Sequence, residues 1–258
     1  MTRIDDLFRS TTDRAVLIGY LPVGFPDVPT SIEAMVAMVE VGVDMVEVGV
    51  PYTDPGMDGP VIQVAVDAAL RAGSRVADVF EAVRSVSAHA PAVVMGYWNP
   101  IEKMTPAVFA RRLKEAGGSG AITPDLIPEE AAPWLEAAKE HDLDPVFLVA
   151  PSSSDERLEV VGRTNRGFVY VASTMGVTGT RATVSNRAEE LVTRMRRHTD
   201  LPLAVGLGVS DGDQAAEVAA YADAVIVGSA FVRALQDGGV DAVRRLAQDL
   251  SEGVRRRA

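Results

Sequence analysis

The chain has 258 residues, 47% hydrophobic and 24% charged, which supports a sizeable buried core and excludes a disordered chain. Its 25 basic against 36 acidic residues leave a formal net charge of -11, which repels nucleic acid and anionic membranes. The absence of cysteine excludes disulfides, thiolate nucleophiles and cysteine metal sites.

Met1 to Ser10 is a charged amphipathic segment, read as an N-terminal helix. It lacks the apolar stretch of a signal peptide, and no run approaches the roughly 18 apolar residues of a membrane span, so a soluble cytoplasmic protein is expected. Short apolar runs then recur as strand candidates: VLIGYLPV from Val16, MVEVGV from Met45, AVVMGYW from Ala92 and GAITP from Gly120. The series continues with PVFLVAP from Pro145, GFVYVAS from Gly167, PLAVGLG from Pro202 and DAVIVGSA from Asp223.

Amphipathic helix patterns lie between them, among them Ser31–Glu40, Val61–Arg71, Pro106–Glu115, Pro128–His141, Arg187–His198, Asp213–Tyr221 and Val240–Val254. After the second strand candidate there are two helical stretches, Val61–Gly73 and Val76–Ala88, so one extra helix is inserted there. Strands and helices in alternation require parallel strands with crossover helices, and runs such as AVIV and VFLV suit a sheet covered on both faces. A doubly wound open sheet would place a Gly-rich turn straight after the first strand, where this chain has PVGFPD. The expected fold is therefore a (β/α)8 TIM barrel spanning residues 1–258 as a single domain, with an N-terminal helix and the extra helix after the second strand.

Glu47 interrupts an otherwise apolar strand, so its carboxylate faces either the barrel interior or the helix layer and is buried in both cases. No strand candidate carries a basic residue to pair with it, and an unpaired buried carboxyl holds its proton to higher pH, as an acid–base catalyst needs. The loop PYTDPGMDGP follows, stiffened by Pro51 and Pro55, at the strand end where barrels carry their active sites, and it offers Asp54 and Asp58. Glycines cluster after the sixth, seventh and eighth strand candidates, at Gly176–Gly179, Gly206–Gly208 and Gly228-Ser229. With a helix beginning near Ser229, they suggest a phosphate site built from backbone N–H groups. Tyr20, Tyr97, Trp98, Asn99 and Tyr170 could line a pocket for a flat ring, with Asn99-Pro100 read as a strand-to-loop turn. His89, His141 and His198 read as solvated helix ends, leaving no metal-ligand cluster, and no lysine falls in a strand to bind pyridoxal phosphate.

The segments VEVGVPYTDPGMDGPVIQ, MGYWNPI, TPDLIPEE and GFVYVASTMGVTG, the Gly206–Gly208 turn and Val227-Gly228-Ser229 occur in one order over most of the chain. Together they resemble the α subunit of tryptophan synthase. That resemblance implies a lyase of tryptophan biosynthesis, splitting indole-3-glycerol phosphate by retro-aldol cleavage without metal or cofactor. Glu47 matches the general acid–base residue and Asp58 the carboxylate that binds the indole N–H. Gly179, Gly208, Gly228 and Ser229 match the phosphate cradle, Tyr170 the residue that orients the glycerol, Thr178 the closing loop, and Tyr20 and Tyr97 the indole pocket. Pro51, Asp54 and Asn99 match the face that docks on a pyridoxal-phosphate-dependent β subunit in an α2β2 complex, which receives the indole. One departure stands in the catalytic loop, where the family's Leu-Ala is replaced by Gly56-Met57. That glycine implies a more mobile loop in the unliganded state.

Overall fold

The computed structural model of the chain describes residues 2–172, 181–206 and 208–256, with side chains omitted for 181–186. Nine strand segments lie among them: β1 (Val16–Pro22), β2 (Met45–Gly49), β3 (Ala92–Met95), β4 (Gly120–Ile122), β5 (Asp144–Val146), β6 (Leu148–Val149), β7 (Val169–Ala172), β8 (Leu203–Gly206) and β9 (Ala224–Val227). All are paired in parallel, in the order β5-β4-β3-β2-β1-β9-β8-β7-β6. β5 and β6 stand at opposite ends of that order, yet only Phe147 separates them in the chain, so the chain itself closes the ring. The expected eight-stranded barrel is present, with its fifth strand broken in two.

A side chain fills the break. Asn165 accepts the Phe147 N–H at 3.0 Å and donates to the carbonyls of Phe147 and Phe168 at 3.1 and 3.0 Å. The Phe147 N–H and the Phe168 carbonyl are thus satisfied in the interior, and the Phe147 carbonyl, which also accepts the Tyr170 N–H at 3.4 Å, gains a second donor.

Helix α1 (Arg3–Ser10) is fixed by a capping box between Thr2 and Asp5, and its Ile4 is fully buried in the barrel's inner cluster with Val16 and Phe168. Helices α2 (Val28–Glu40), α3 (Pro60–Arg71), α4 (Val76–Ser87), α5 (Trp98–Met104) and α6 (Pro106–Glu115) follow, with α3 and α4 both between β2 and β3 as expected. A 3-10 turn (Pro128–Glu130) then leads to α7 (Ala132–Glu140), so the expected helix Pro128–His141 is divided. The remaining helices are α8 (Asp155–Thr164), α9 (Arg181–Met195), α10 (Gly212–Ala219) and α11 (Ser229–Val254), the last kinked at Gly238 and Gly239. Among the described residues, no helix is long and apolar enough to cross a membrane.

One expectation is corrected. Asn99 and Pro100 do not form a strand-to-loop turn, because β3 ends at Met95 and both residues lie in α5, with Tyr97 as its N-cap. Pro100 falls in the first turn of that helix, where its missing N–H costs no intrahelical bond.

Two layers of core follow from strand alternation. Val46 and Val48 join the outer cluster between sheet and helices, while Met45 joins the inner cluster with Val16, Ile18, Val93, Ile122 and Ile226. Glu47 shares the parity of Met45, so it faces the barrel interior.

Candidate active site

The described strand ends enclose a cavity whose polar lining is Tyr20, Glu47, Asp58, Tyr170 and Ser229, with Gly206, Gly208 and Gly228 beside them. Seven positions taken from the resemblance, Tyr20, Glu47, Asp58, Tyr170, Gly208, Gly228 and Ser229, therefore meet at one site, and Tyr97 adjoins it through its hydrogen bond with the Met57 N–H. Thr178 and Gly179 lie outside the described residues.

Glu47 sits in register with Tyr20 of β1 and Val93 of β3, is 1% exposed, and its Oε1 has no hydrogen-bond partner. Burial pushes its carboxyl up to about 8, so it is protonated at neutral pH. Asp58 approaches from the loop after β2 and is half-buried. Burial raises its carboxyl to about 6, with the hydrogen bond from the Tyr97 hydroxyl pulling the other way, so it is mostly ionised at neutral pH. One cavity thus holds a neutral carboxylic acid and a carboxylate.

The loop carrying Asp58 is anchored at several points. The Met57 N–H donates to the Tyr97 hydroxyl at 2.9 Å, Asp58 N–H to the Pro55 carbonyl at 3.3 Å, and Gln63 Nε2 to the Asp58 carbonyl at 2.8 Å. A Cβ added at Gly56 would meet nothing within 4 Å.

Tyr20 and Tyr170 cross neighbouring strands at glycines. A Cβ at Gly49 would lie 2.6 Å from the Tyr20 hydroxyl, and one at Gly206 would lie 2.6 Å from that of Tyr170. Gly206 therefore makes room for a tyrosine, a function distinct from the anion binding expected of the Gly206–Gly208 turn. Burial, then the nearby Asp58 and Glu47, holds the Tyr20 hydroxyl above its ordinary pKa, and burial, then Glu47 and Asp58, does so for Tyr170. Both remain donors.

At the same cavity, α11 begins at Ser229 with Gly228 as N-cap and no side-chain cap. Its first N–H groups have no intrahelical partner, and with Gly208 in a left-handed conformation (φ +69) nearby they suit an anion. None of the described lining residues is Lys or Arg.

The floor and walls are apolar, from Ile62, Met95, Pro124, Leu148, Ala172 and Ile226. Sequence reasoning did not single these out. Met95, Leu148 and Ile226 could have been found by counting two residues up each strand from an inner-core position.

Pro51 and Asn99 lie elsewhere, in a mainly apolar surface groove with Leu70, Val76 and Met104, whereas Asp54 is exposed and accepts a 2.6 Å hydrogen bond from Thr53.

The family described as "Tryptophan synthase alpha chain" matches residues 8–256. A tryptophan synthase alpha chain of Mycobacterium avium (strain 104) is 57% identical, over 100% of this chain and 96% of that protein. A crystal structure of tryptophan synthase from M. tuberculosis, in an aminoacrylate-bound form, superposes with a TM-score of 0.92 at 52% identity, covering 98% of this chain and 100% of that one. Tryptophan synthase subunit alpha from Legionella pneumophila str. Paris reaches a TM-score of 0.90 at 29% identity, with 98% of each chain covered. The chain belongs to the tryptophan synthase alpha chain family.

Proposed function

We propose that Glu47 and Asp58 divide between them the retro-aldol cleavage of indole-3-glycerol phosphate, the reaction of this family in tryptophan biosynthesis. The chain is a lyase, releasing indole and glyceraldehyde 3-phosphate.

Glu47, protonated at the start, gives its proton to C3 of the indole ring, which leaves the ring as a cationic electron sink. As a carboxylate it then takes the proton of the glycerol hydroxyl next to the ring. The carbon–carbon bond breaks, its electron pair returns to the ring as neutral indole, and the hydroxyl carbon becomes the aldehyde. One carboxyl suffices, because the proton delivered and the proton recovered balance. The ring N–H becomes acidic while the cation exists, and an ionised Asp58 facing it stabilises that charge most strongly in the transition state.

The observation that carries this reading is the inward, unpartnered Glu47 sharing a cavity with Asp58. The uncapped start of α11 and Gly208 support phosphate binding at Gly228 and Ser229, and the presence of Tyr170 in the same cavity supports a role in orienting the glycerol. By resemblance, Gly179 matches the phosphate cradle and Thr178 the closing loop, both outside the described residues.

The chain pairs with a β subunit, and we infer an α2β2 assembly using Pro51, Asp54 and Asn99. The apolar groove at Pro51 and Asn99 supports that face, and sedimentation of the mixed subunits reads the stoichiometry.

Glu47→Gln tests the assignment. Formation of glyceraldehyde 3-phosphate should fall by about a hundredfold or more while β-subunit binding persists. Substantial remaining turnover would overturn it.

A further inference from the structure

Tyr52 has no part in the reaction as described, yet it stands between the surface groove and the active site. Its hydroxyl accepts a hydrogen bond from Asn99 Nδ2 at 2.9 Å, and its ring packs on that of Tyr97, with centroids 5.5 Å apart and planes tilted by 31°. Tyr52 and Asn99 both line the groove, with Pro51 and Met104. Tyr97 is the N-cap of α5, is 7% exposed, and binds the loop by accepting the Met57 N–H at 2.9 Å, which holds its hydroxyl beside Asp58.

A continuous set of contacts therefore runs from Asn99 through Tyr52 and Tyr97 to Met57, the neighbour of Asp58. Asn99 and Tyr97 share the first turn of α5, while Tyr52 and Asp58 belong to the loop after β2. The two ring–hydroxyl pairs bridge that loop to that helix at two points. With the outer bridge in place, the loop has little freedom to carry Asp58 away from Tyr97. A phenylalanine ring at position 52 would keep the stacking and lose only the outer bridge.

We propose that Tyr52 is a positioning residue for the cleavage: held by Asn99, it keeps Tyr97 against the Met57 amide, and so sets the adjoining Asp58 carboxylate where the ring N–H must meet it. The inference rests on the assignment of Asp58 given above. A partner covering the groove would press on Tyr52 and Asn99 directly and thereby act on Asp58.

The test is steady-state cleavage by the full chain at saturating β subunit, comparing Tyr52→Phe, Tyr97→Phe, the double variant and Asp58→Asn. Loss of one neutral hydrogen bond in the positioning chain should lower kcat about fivefold for Tyr52→Phe, with KM little changed, because Asp58 acts most on the transition state. Tyr97→Phe should lower kcat further, and in that background Tyr52→Phe should add less than about a twofold change. Unchanged kcat in Tyr52→Phe overturns the proposal, as does the same loss with and without the Tyr97 hydroxyl, or a Tyr97→Phe enzyme of full activity. Full activity in Asp58→Asn would instead overturn the assignment of Asp58 itself.

Discussion

Glu47 keeps its proton at neutral pH because nothing beside it favours the charged form. Its Oε1 is buried without a partner, and burial alone accounts for its rise to about 8. Asp58, less buried and bonded by Tyr97, rises only to about 6. The two values set a window. Raising the pH through about 6 ionises Asp58 and should increase kcat/KM, and raising it further through about 8 deprotonates Glu47 and should decrease it. A rate profile flat across both values would sink the division of roles. The residues of this pair were legible in the sequence to different degrees. Glu47 stood out as an acid in an apolar strand with no basic residue to match it. Asp58 and Asp54 were equivalent in composition and loop position, and only the family resemblance separated them. The cavity distinguishes them physically, since Asp58 reaches into it and Asp54 is exposed.

At the level of elements, apolar runs located the strands because a sheet covered on both faces needs them. They could not reveal the break at Phe147, which depends on a side chain from the end of α8. Asn165 satisfies three backbone groups there, so Asn165→Ala should lower unfolding free energy by about 2–4 kcal/mol, read from urea denaturation, with activity per folded molecule retained. A variant as stable as the wild type would show that the break is satisfied in another way. The helix α5 was hidden because Asn-Pro usually marks a turn, and α8 was not among the patterns singled out. Gly49 and Gly206 were illegible for a different reason. Their value lies in the tyrosine that crosses them from an adjacent strand, and a glycine in the sequence does not name its cross-strand neighbour.

Across the whole molecule, two inward carboxyls sit at the two ends of the barrel strands. Glu47 lies at the cavity, while Asp144 lies near Ile4 and Gly167, raised to about 6 by burial, which outweighs the pull of Arg166 at 3.4 Å. Both pKa values are higher folded than in an unfolded chain, so the folded protein retains protons that the unfolded chain releases. Their stabilising contribution is complete below the ordinary values of 3.8 and 4.5 and is lost progressively from there, fully for Asp144 by about pH 6 and for Glu47 by about pH 8. The midpoint of thermal unfolding should therefore fall between about pH 4 and about pH 8, and Glu47→Gln should flatten the part of that decline above about pH 6. A variant whose midpoint falls as steeply as the wild type's would contradict the burial of an uncompensated acid. The absence of cysteine gives Gly56 a use beyond catalysis. In a chain with 0 cysteines, Gly56→Cys creates a unique thiol where the backbone leaves open space, so a spin label or fluorophore can be attached beside Asp58 without stripping the rest of the protein of competing sites. The signal of that single label with and without substrate would report whether the loop moves during turnover.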